Sequence, residues 1–223
     1  MDSTKKKTMK KEEIQSLKEI NDRIYKEVCN ETINKLSDMN LIDEYKKSKS
    51  VKNKITNLKK VLKKHDIQTN KQDEIVDDYI LELIPPGTKG VIRGNKFNKI
   101  VNNAINNLEL DEERFKICFE EMCEMCETSE RPDWYILEKT SNKVIIGMNQ
   151  LDLINGGQQT NRGSKYLIDN KHNTNKSKLL CVICNYVEFK TQSKKTKLFQ
   201  IGFENDTLCY LNNLENIIKK YFD

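Results

Sequence analysis

All eight glycines and all three prolines of the 223-residue chain lie from Pro85 onward. Inside a helix glycine costs about 1 kcal/mol and proline about 3 kcal/mol relative to alanine. The stretch before Pro85 can therefore run as helix with nothing to interrupt it, whereas the remainder is supplied with turns. Apolar periodicity agrees. Ile14, Leu17, Ile20, Ile24 and Val28 recur at helical spacing from Glu12 to about Cys29. A second helix is predicted over Glu31–Tyr45, with Ile33, Leu36 and Leu41 as its apolar side. A third is predicted over Val51–Lys64, with Ile55, Leu58, Val61 and Leu62. His65 ends that helix, where a cation is favourable. Gln68–Asp73 is polar and reads as a linker. The organisation that follows is a basic helical extension over residues 1–70 and an α/β domain over 71–223.

Charge divides the same way. Residues 1–70 carry 18 basic and 11 acidic side chains, a surplus of +7, against +5 for the whole chain. The rest is slightly acidic. A basic arm on a near-neutral body suits a polyanion such as double-stranded DNA. Lys5–Lys11 by itself reads as a solvated tail. No apolar run approaches the 18 residues of a membrane span, and the lysine-rich start has no apolar signal region. Seven cysteines, an odd count, fit a reducing compartment. The expectation is an intracellular, cytoplasmic protein with no membrane association; a homodimer is left open.

Glu74–Ile84 reads as a short helix or strand, and Pro85–Thr88 as a turn. Lys89–Gly94 follows, with Arg93 between glycines that would let backbone approach a phosphate, although the P-loop pattern is absent. Asn95–Leu108 is an amphipathic helix with Phe97, Ile100, Val101, Ala104, Ile105 and Leu108. Asp111–Phe119 leads into a strand at the sheet edge.

The chemistry concentrates between Arg131 and Lys165. Trp134–Leu137 and Val144–Leu153 are apolar runs joined by the polar turn Thr140–Lys143, the signature of a β-hairpin. Pro132 cannot donate in a ladder and belongs at the first strand's start, which puts Asp133 at the strand mouth. Alternation places Met148, Gln150 and Asp152 on one face. Asp133 and Asp152 can then converge with Gln150 beside them, a hard-oxygen set suited to Mg²⁺. Arg162 and Lys165 follow a Gly156-Gly157 turn. A metal-held carboxylate pair with a lysine nearby is what phosphodiester hydrolysis requires.

Pro132-Asp133, the hairpin and the polar cluster ending its second strand resemble the PD-(D/E)XK nucleases. More narrowly, Arg131–Tyr166 is similar to type II restriction-endonuclease-like proteins, a kind also found in large DNA viruses. The resemblance covers the chain from about Ile84. It implies a mixed central sheet flanked by helices, Mg²⁺-dependent cleavage of DNA, metal ligation by Asp133 and Asp152, and a catalytic contribution from Gln150. The family's second motif is an acid, any residue, then lysine. Here the slots hold Met148-Asn149-Gln150 or Gln150-Leu151-Asp152, without a lysine. Lys165 is the candidate for a lysine displaced to the following element. The family's early helix commonly supplies a glutamate; the polar positions here are Lys96, Asn98 and Lys99, which leaves Glu82 and Glu113 as replacements. The departures keep open a degenerate relative that binds nucleic acid without cutting it.

Cys123–Cys126 and Cys181–Cys184 form two Cys-x-x-Cys pairs, so a zinc-stabilised interaction module is a further alternative. Leu179–Cys184 reads as a buried strand, however, in which residues i and i+3 face opposite ways; buried apolar thiols are the favoured reading over Zn²⁺. Leu179–Phe189 and Leu198–Phe203 are predicted strands, joined by a lysine-rich hairpin tip in which Lys194 and Lys195 are candidate phosphate contacts. Leu208–Phe222 is predicted as a closing helix.

Overall fold

A computed structural model describes residues 11–36, 39–124, 131–151, 174, 176–184, 186–187 and 194–223. Their contacts gather into two compact units. One comprises residues 1–25 with 97–223, the other residues 26–96.

The second unit is helical. It contains the end of α1 (Lys11–Leu36), then α2 (Met39–Lys47), α3 (Lys49–Lys64), α4 (Thr69–Leu83) and the start of α5 (Pro86–Asn106). The absence of glycine and proline before Pro85 has the consequence expected of it. Ser48 caps α3 by accepting a hydrogen bond from the Val51 N–H, as N-cap serines do. Two expectations are corrected here. Gln68–Asp73 is not a linker: it passes into α4 at Thr69, because buried Gln72, Val76 and Ile80 repeat every four residues. Pro85–Gly94 is not a turn and glycine loop: Pro86 opens α5 and the helix runs through Gly87, Gly90 and Gly94. Proline is at home in a first helical turn, where its missing N–H would have no partner anyway. Arg93 therefore sits on a helix, half-buried, and its Nε has no hydrogen-bond partner among the described residues.

The first unit is a mixed α/β arrangement around a five-stranded sheet, flanked by helices. Its strands are β1 (Phe115–Phe119), β2 (Trp134–Glu138), β3 (Val144–Gln150), β4 (Ser177–Ile183) and β5 (Leu208–Tyr210), in the order β1-β2-β3-β4-β5. β1, β2 and β3 are antiparallel neighbours, while β4 is parallel to β3 and β5 parallel to β4. The expected hairpin is present: Trp134 pairs with Gly147 and Leu137 with Val144. Its turn places Asn142 at φ 56°, a left-handed conformation that asparagine tolerates. The expected edge strand is present as β1.

Continuous apolar runs in β3 and β4 follow from burial on both faces. Ile136, Ile145 and Ile146 are fully buried, each contributing roughly 2 kcal/mol from lost water contact. On one face Tyr135, Val144, Ile146, Met148 and Leu179 cluster with Cys118 and Cys123. Farther along, Cys181, Ile183 and Leu208 pack with Phe199 of α6 (Lys194–Glu204), and Leu17 of α1 joins them. On the other face the Phe222 ring of α7 (Leu214–Phe222) meets Phe115 edge-on at 5.0 Å. α5 supplies buried Phe97, Val101 and Ile105.

Two further expectations are corrected. Leu198–Phe203 is part of α6 and not a strand; Leu198, Phe199, Gly202 and Phe203 have helical spacing, which a short apolar run does not distinguish from strand. Lys194 and Lys195 thus open a helix instead of forming a hairpin tip; their side chains lie outside the described residues. Leu208–Phe222 is not one helix: Leu208–Tyr210 is β5, Leu211–Asn213 a 3₁₀ turn, and only Leu214–Phe222 is α-helix. The gain of a fifth strand explains the break. Among the described residues no helix is long and apolar enough to cross a membrane.

Candidate active site

Asp133 lies one residue before β2, between two neighbouring strands. Its N–H donates to the Gly147 carbonyl at 3.1 Å, and its carbonyl accepts from the Glu120 N–H at 2.9 Å. The backbone is thereby held from both sides. Its carboxylate leaves the strand mouth and enters a small polar net. Oδ2 accepts from the Asn149 backbone N–H at 2.6 Å. Oδ1 accepts from Asn98 Nδ2 at 3.1 Å. Asn98 is on α5 and Asn149 on β3, so three elements meet at one carboxylate.

The orientation of that net is set by Trp134. An indole N–H can only donate, and it donates to Asn149 Oδ1 at 3.0 Å. Asn149 must then present its Nδ2, which donates to Asn98 Oδ1 at 3.1 Å. Asn98 in turn has its own Nδ2 left for Asp133. A donor-only ring two residues from Pro132 therefore aims an N–H at the carboxylate. Trp134 is fully buried and lies flat over Gly147: a Cβ there would come within 1.7 Å of Trp134 Cε2. Only glycine fits beneath the ring.

Burial raises the Asp133 carboxyl above its usual range, and the Glu120 charge adds to this. The bonds from Asn149 and Asn98, and the charge of Arg131, act in the opposite sense and do not overcome it. Removing a carboxylate from water penalises its charged form. A cation or other positive group beside it would reverse that penalty.

The predicted residues are distributed as follows. Asp133 stands at the strand mouth as expected. Gln150 is the last residue of β3, half-buried, paired in register with Ile183, and its carbonyl accepts from the Cys184 N–H at 3.1 Å. Arg93 belongs to the unit of residues 26–96. Asp152, Arg162 and Lys165 lie outside the described residues, as do Cys126, Gly156 and Gly157. Glu82 is exposed on α4 and pairs with Lys89 at 3.6 Å. Glu113 is exposed in the turn before β1, its N–H bonded to Asp111. On α5, where the resemblance implies a glutamate, the residue that touches Asp133 is Asn98, a neutral amide. Cys181 packs in the cluster around Phe199 and Cys123 in the cluster around Tyr135; burial pushes the Cys181 thiol up.

Asn98, Asn149 and Trp134 carry no charge, so charge patterning does not single them out. The available signal was stereochemical: a buried indole requires an acceptor, and the polar residues nearest it on the partner strand were amides. Asn98 was visible only as a polar position on an amphipathic helix.

Toward a hard cation this cluster offers the Asp133 carboxylate, since the Asn98 oxygen is engaged by Asn149 and it is the Asn98 N–H that faces Asp133. Among the described residues, no group of three or more His, Cys, Asp or Glu is placed to hold a metal ion. The second described carboxylate whose charge reaches Asp133 is Glu120; Asp152, the nearest acid in sequence past β3, lies outside the described residues. No protein-family model and no curated protein matches the chain.

Proposed function

We propose that the chain is a Mg²⁺-dependent DNA endonuclease with a restriction-endonuclease-like fold, hydrolysing phosphodiester bonds as type II restriction enzymes do. The observation that carries this reading is Asp133: a half-buried carboxylate at the mouth of β2, its carboxyl raised by burial and held from α5 and β3 by N–H donors. Two features support it. The sheet joins an antiparallel hairpin to the parallel strands β4 and β5, the mixed sheet that the resemblance implies. The basic surplus lies in residues 1–70, ahead of the strands that carry the acid in sequence, which suits a polyanion substrate.

In this reading Asp133 and Asp152 bind the cation, and Gln150 completes or orients the set. Bound Mg²⁺ would neutralise phosphate charge and lower the pKa of water at the site. Asn98 and Asn149 hold the Asp133 carboxylate in place. Lys165 steadies the attacking water or the phosphate, and Arg162 grips a phosphate through its planar fork. Double-stranded DNA is the partner.

One observation favours a second reading, in which the protein binds nucleic acid without cutting it. Both oxygens of Asp133 already accept hydrogen bonds from amides, and its neighbour on α5 is neutral. The test is a digest of mixed-sequence duplex DNA with Mg²⁺, run with wild type and Asp133→Ala. The nuclease reading expects cleavage by the wild type, its loss in the variant, and DNA affinity unchanged or slightly tighter as a negative charge is removed. Cleavage unaffected by the substitution would overturn the assignment of this site. Binding by both proteins with cleavage by neither would establish the second reading.

A further inference from the structure

We infer that the exposed face of α3 is a surface for the phosphate backbone of duplex DNA. This deepens the reading above by naming where the polyanion is gripped; it rests on that reading for the choice of DNA and not on Asp133 cutting it.

The helix has 16 residues, seven lysines and no acid. The lysines are not equivalent. Lys59 pairs with Asp73 and lies beside α4, and Lys54 donates to the Leu83 carbonyl at 2.9 Å. Lys46, on the preceding α2, pairs with Asp77 at 2.7 Å. These cations are paired with the acids of α4 or bound to its end. Lys49, Lys52, Lys60, Lys63 and Lys64 are exposed, and their side chains make no ion pair with a described residue. Lys49, Lys52, Thr56, Lys60 and Lys63 follow the i, i+3, i+7, i+11, i+14 spacing of a single stripe along a helix. Asn53 and Asn57 flank it, so the stripe carries only cations and hydrogen-bonding groups.

At 1.5 Å per residue, Lys49 to Lys63 spans about 21 Å. Duplex DNA presents a charge every 1.7 Å or so of its axis, so several phosphates come within reach of flexible lysine stems. The alternatives fit less well. A membrane-surface helix needs a free apolar face, but here Val51 is buried, Ile55, Leu58 and Leu62 are half-buried, the helix packs on α4, and Val61 alone of its apolar residues is exposed. Protein interfaces are depleted in lysine and centred on apolar or aromatic groups, which this stripe lacks.

The test uses the full chain with Lys52, Lys60 and Lys63 all changed to Gln, which preserves helix propensity. Affinity for a mixed-sequence duplex is read by fluorescence anisotropy in EDTA over a salt series, with circular dichroism to verify the fold. Each lost phosphate contact removes about 0.9 from the slope of log affinity against log salt, so the slope should become shallower by about 2 to 3. A Lys46→Gln/Lys59→Gln control, altering the cations paired with α4, should keep the slope. A full slope in the folded triple variant would overturn the inference. So would unchanged DNA binding accompanied by loss of binding to phosphatidylserine vesicles, which would make the stripe a membrane surface. Because EDTA removes any need for catalysis, the two readings fail separately. A reduced slope with cleavage insensitive to Asp133→Ala leaves this surface standing and removes the nuclease site; the converse removes only the surface.

Discussion

β2 carries a buried or partly buried carboxylate at each end, and the two ends solve the same problem differently. At one end Glu138 is 5% exposed. It accepts from Arg114 Nε at 2.6 Å and from the Ser141 hydroxyl, with the Arg114 guanidinium as ion-pair partner. The Ser141 bond and then Arg114 hold its carboxyl below the usual range. The same Arg114 reaches the Phe222 carbonyl at 3.0 Å, and Lys143 reaches the Tyr221 carbonyl at 3.2 Å. Cations at the end of α7 thus satisfy carbonyls that have no helical partner. At the other end Asp133 accepts, among the described residues, from amide N–H groups, and its carboxyl is raised. The Glu138 end is a finished clasp. Among the described residues the only cation whose charge reaches Asp133 is Arg131, and it does not overcome burial; carboxyls left raised in this way are common at functional sites.

The comparison breaks most sharply at Gly147. Gly147→Ala forces a methyl into the Trp134 ring, which holds the orientation of the whole amide net. The expected loss is about 4 kcal/mol of stability, read by denaturant unfolding. A loss below 1 kcal/mol would mean that the ring moves freely and does not set the net.

At the clasp, Arg114→Ala leaves the buried Glu138 charge with the Ser141 hydroxyl and the weaker influence of the Lys143 charge. About 3 kcal/mol should be lost, and amide exchange in the last turn of α7 should quicken. Protection unchanged there would show that Arg114 does not anchor the helix.

At the site, Asn98→Ala removes the donor to Asp133 and the acceptor for Asn149. The expected cost is smaller, about 2 kcal/mol, and under the proposed function cleavage should fall while DNA affinity is kept. A stable variant with unaltered cleavage would demote Asn98 to packing.

The smallest effect is the most diagnostic, because the two ends should respond to pH with opposite sign. Glu138 has a lowered carboxyl, so its contribution is complete above the unfolded value near 4.5 and is lost as pH falls through the lower folded value. Asp133 has a raised carboxyl. Its unfolded form gives up its proton first, so wild type loses stability relative to Asp133→Asn as pH rises above 3.8, until the folded value is passed. Thermal unfolding of wild type, Asp133→Asn and Glu138→Gln across the acid range should give these opposite slopes. Saturating Mg²⁺ should abolish the Asp133 slope if Asp133 binds it. Two slopes of the same sign would erase the distinction between the ends.

Much of this was legible in the sequence, and the parts that were share a cause. The helical first third follows from the absence of glycine and proline before Pro85, a local property. The β2–β3 hairpin and the place of Asp133 follow from Pro132 and from two apolar runs around a polar turn, also local. Leu198–Phe203 was misassigned because six residues of apolar sequence suit helix and strand alike, and packing of Phe199 on β4 and β5 decides between them. Leu208–Tyr210 was absorbed into a helix because three residues become a strand only when β4 offers its edge.

The sequence by itself thus determined which segments are helix-competent, where the hairpin turns and where the acid sits, since these depend on neighbours a few residues apart. Tertiary structure alone decided which side chains surround that acid. Asn98 precedes Asp133 by 35 residues and Asn149 follows it by 16; nothing in their local sequence marks them. They became partners because Trp134 can only donate, Gly147 leaves room for its ring, and α5 crosses the end of the hairpin where the remaining donor was required.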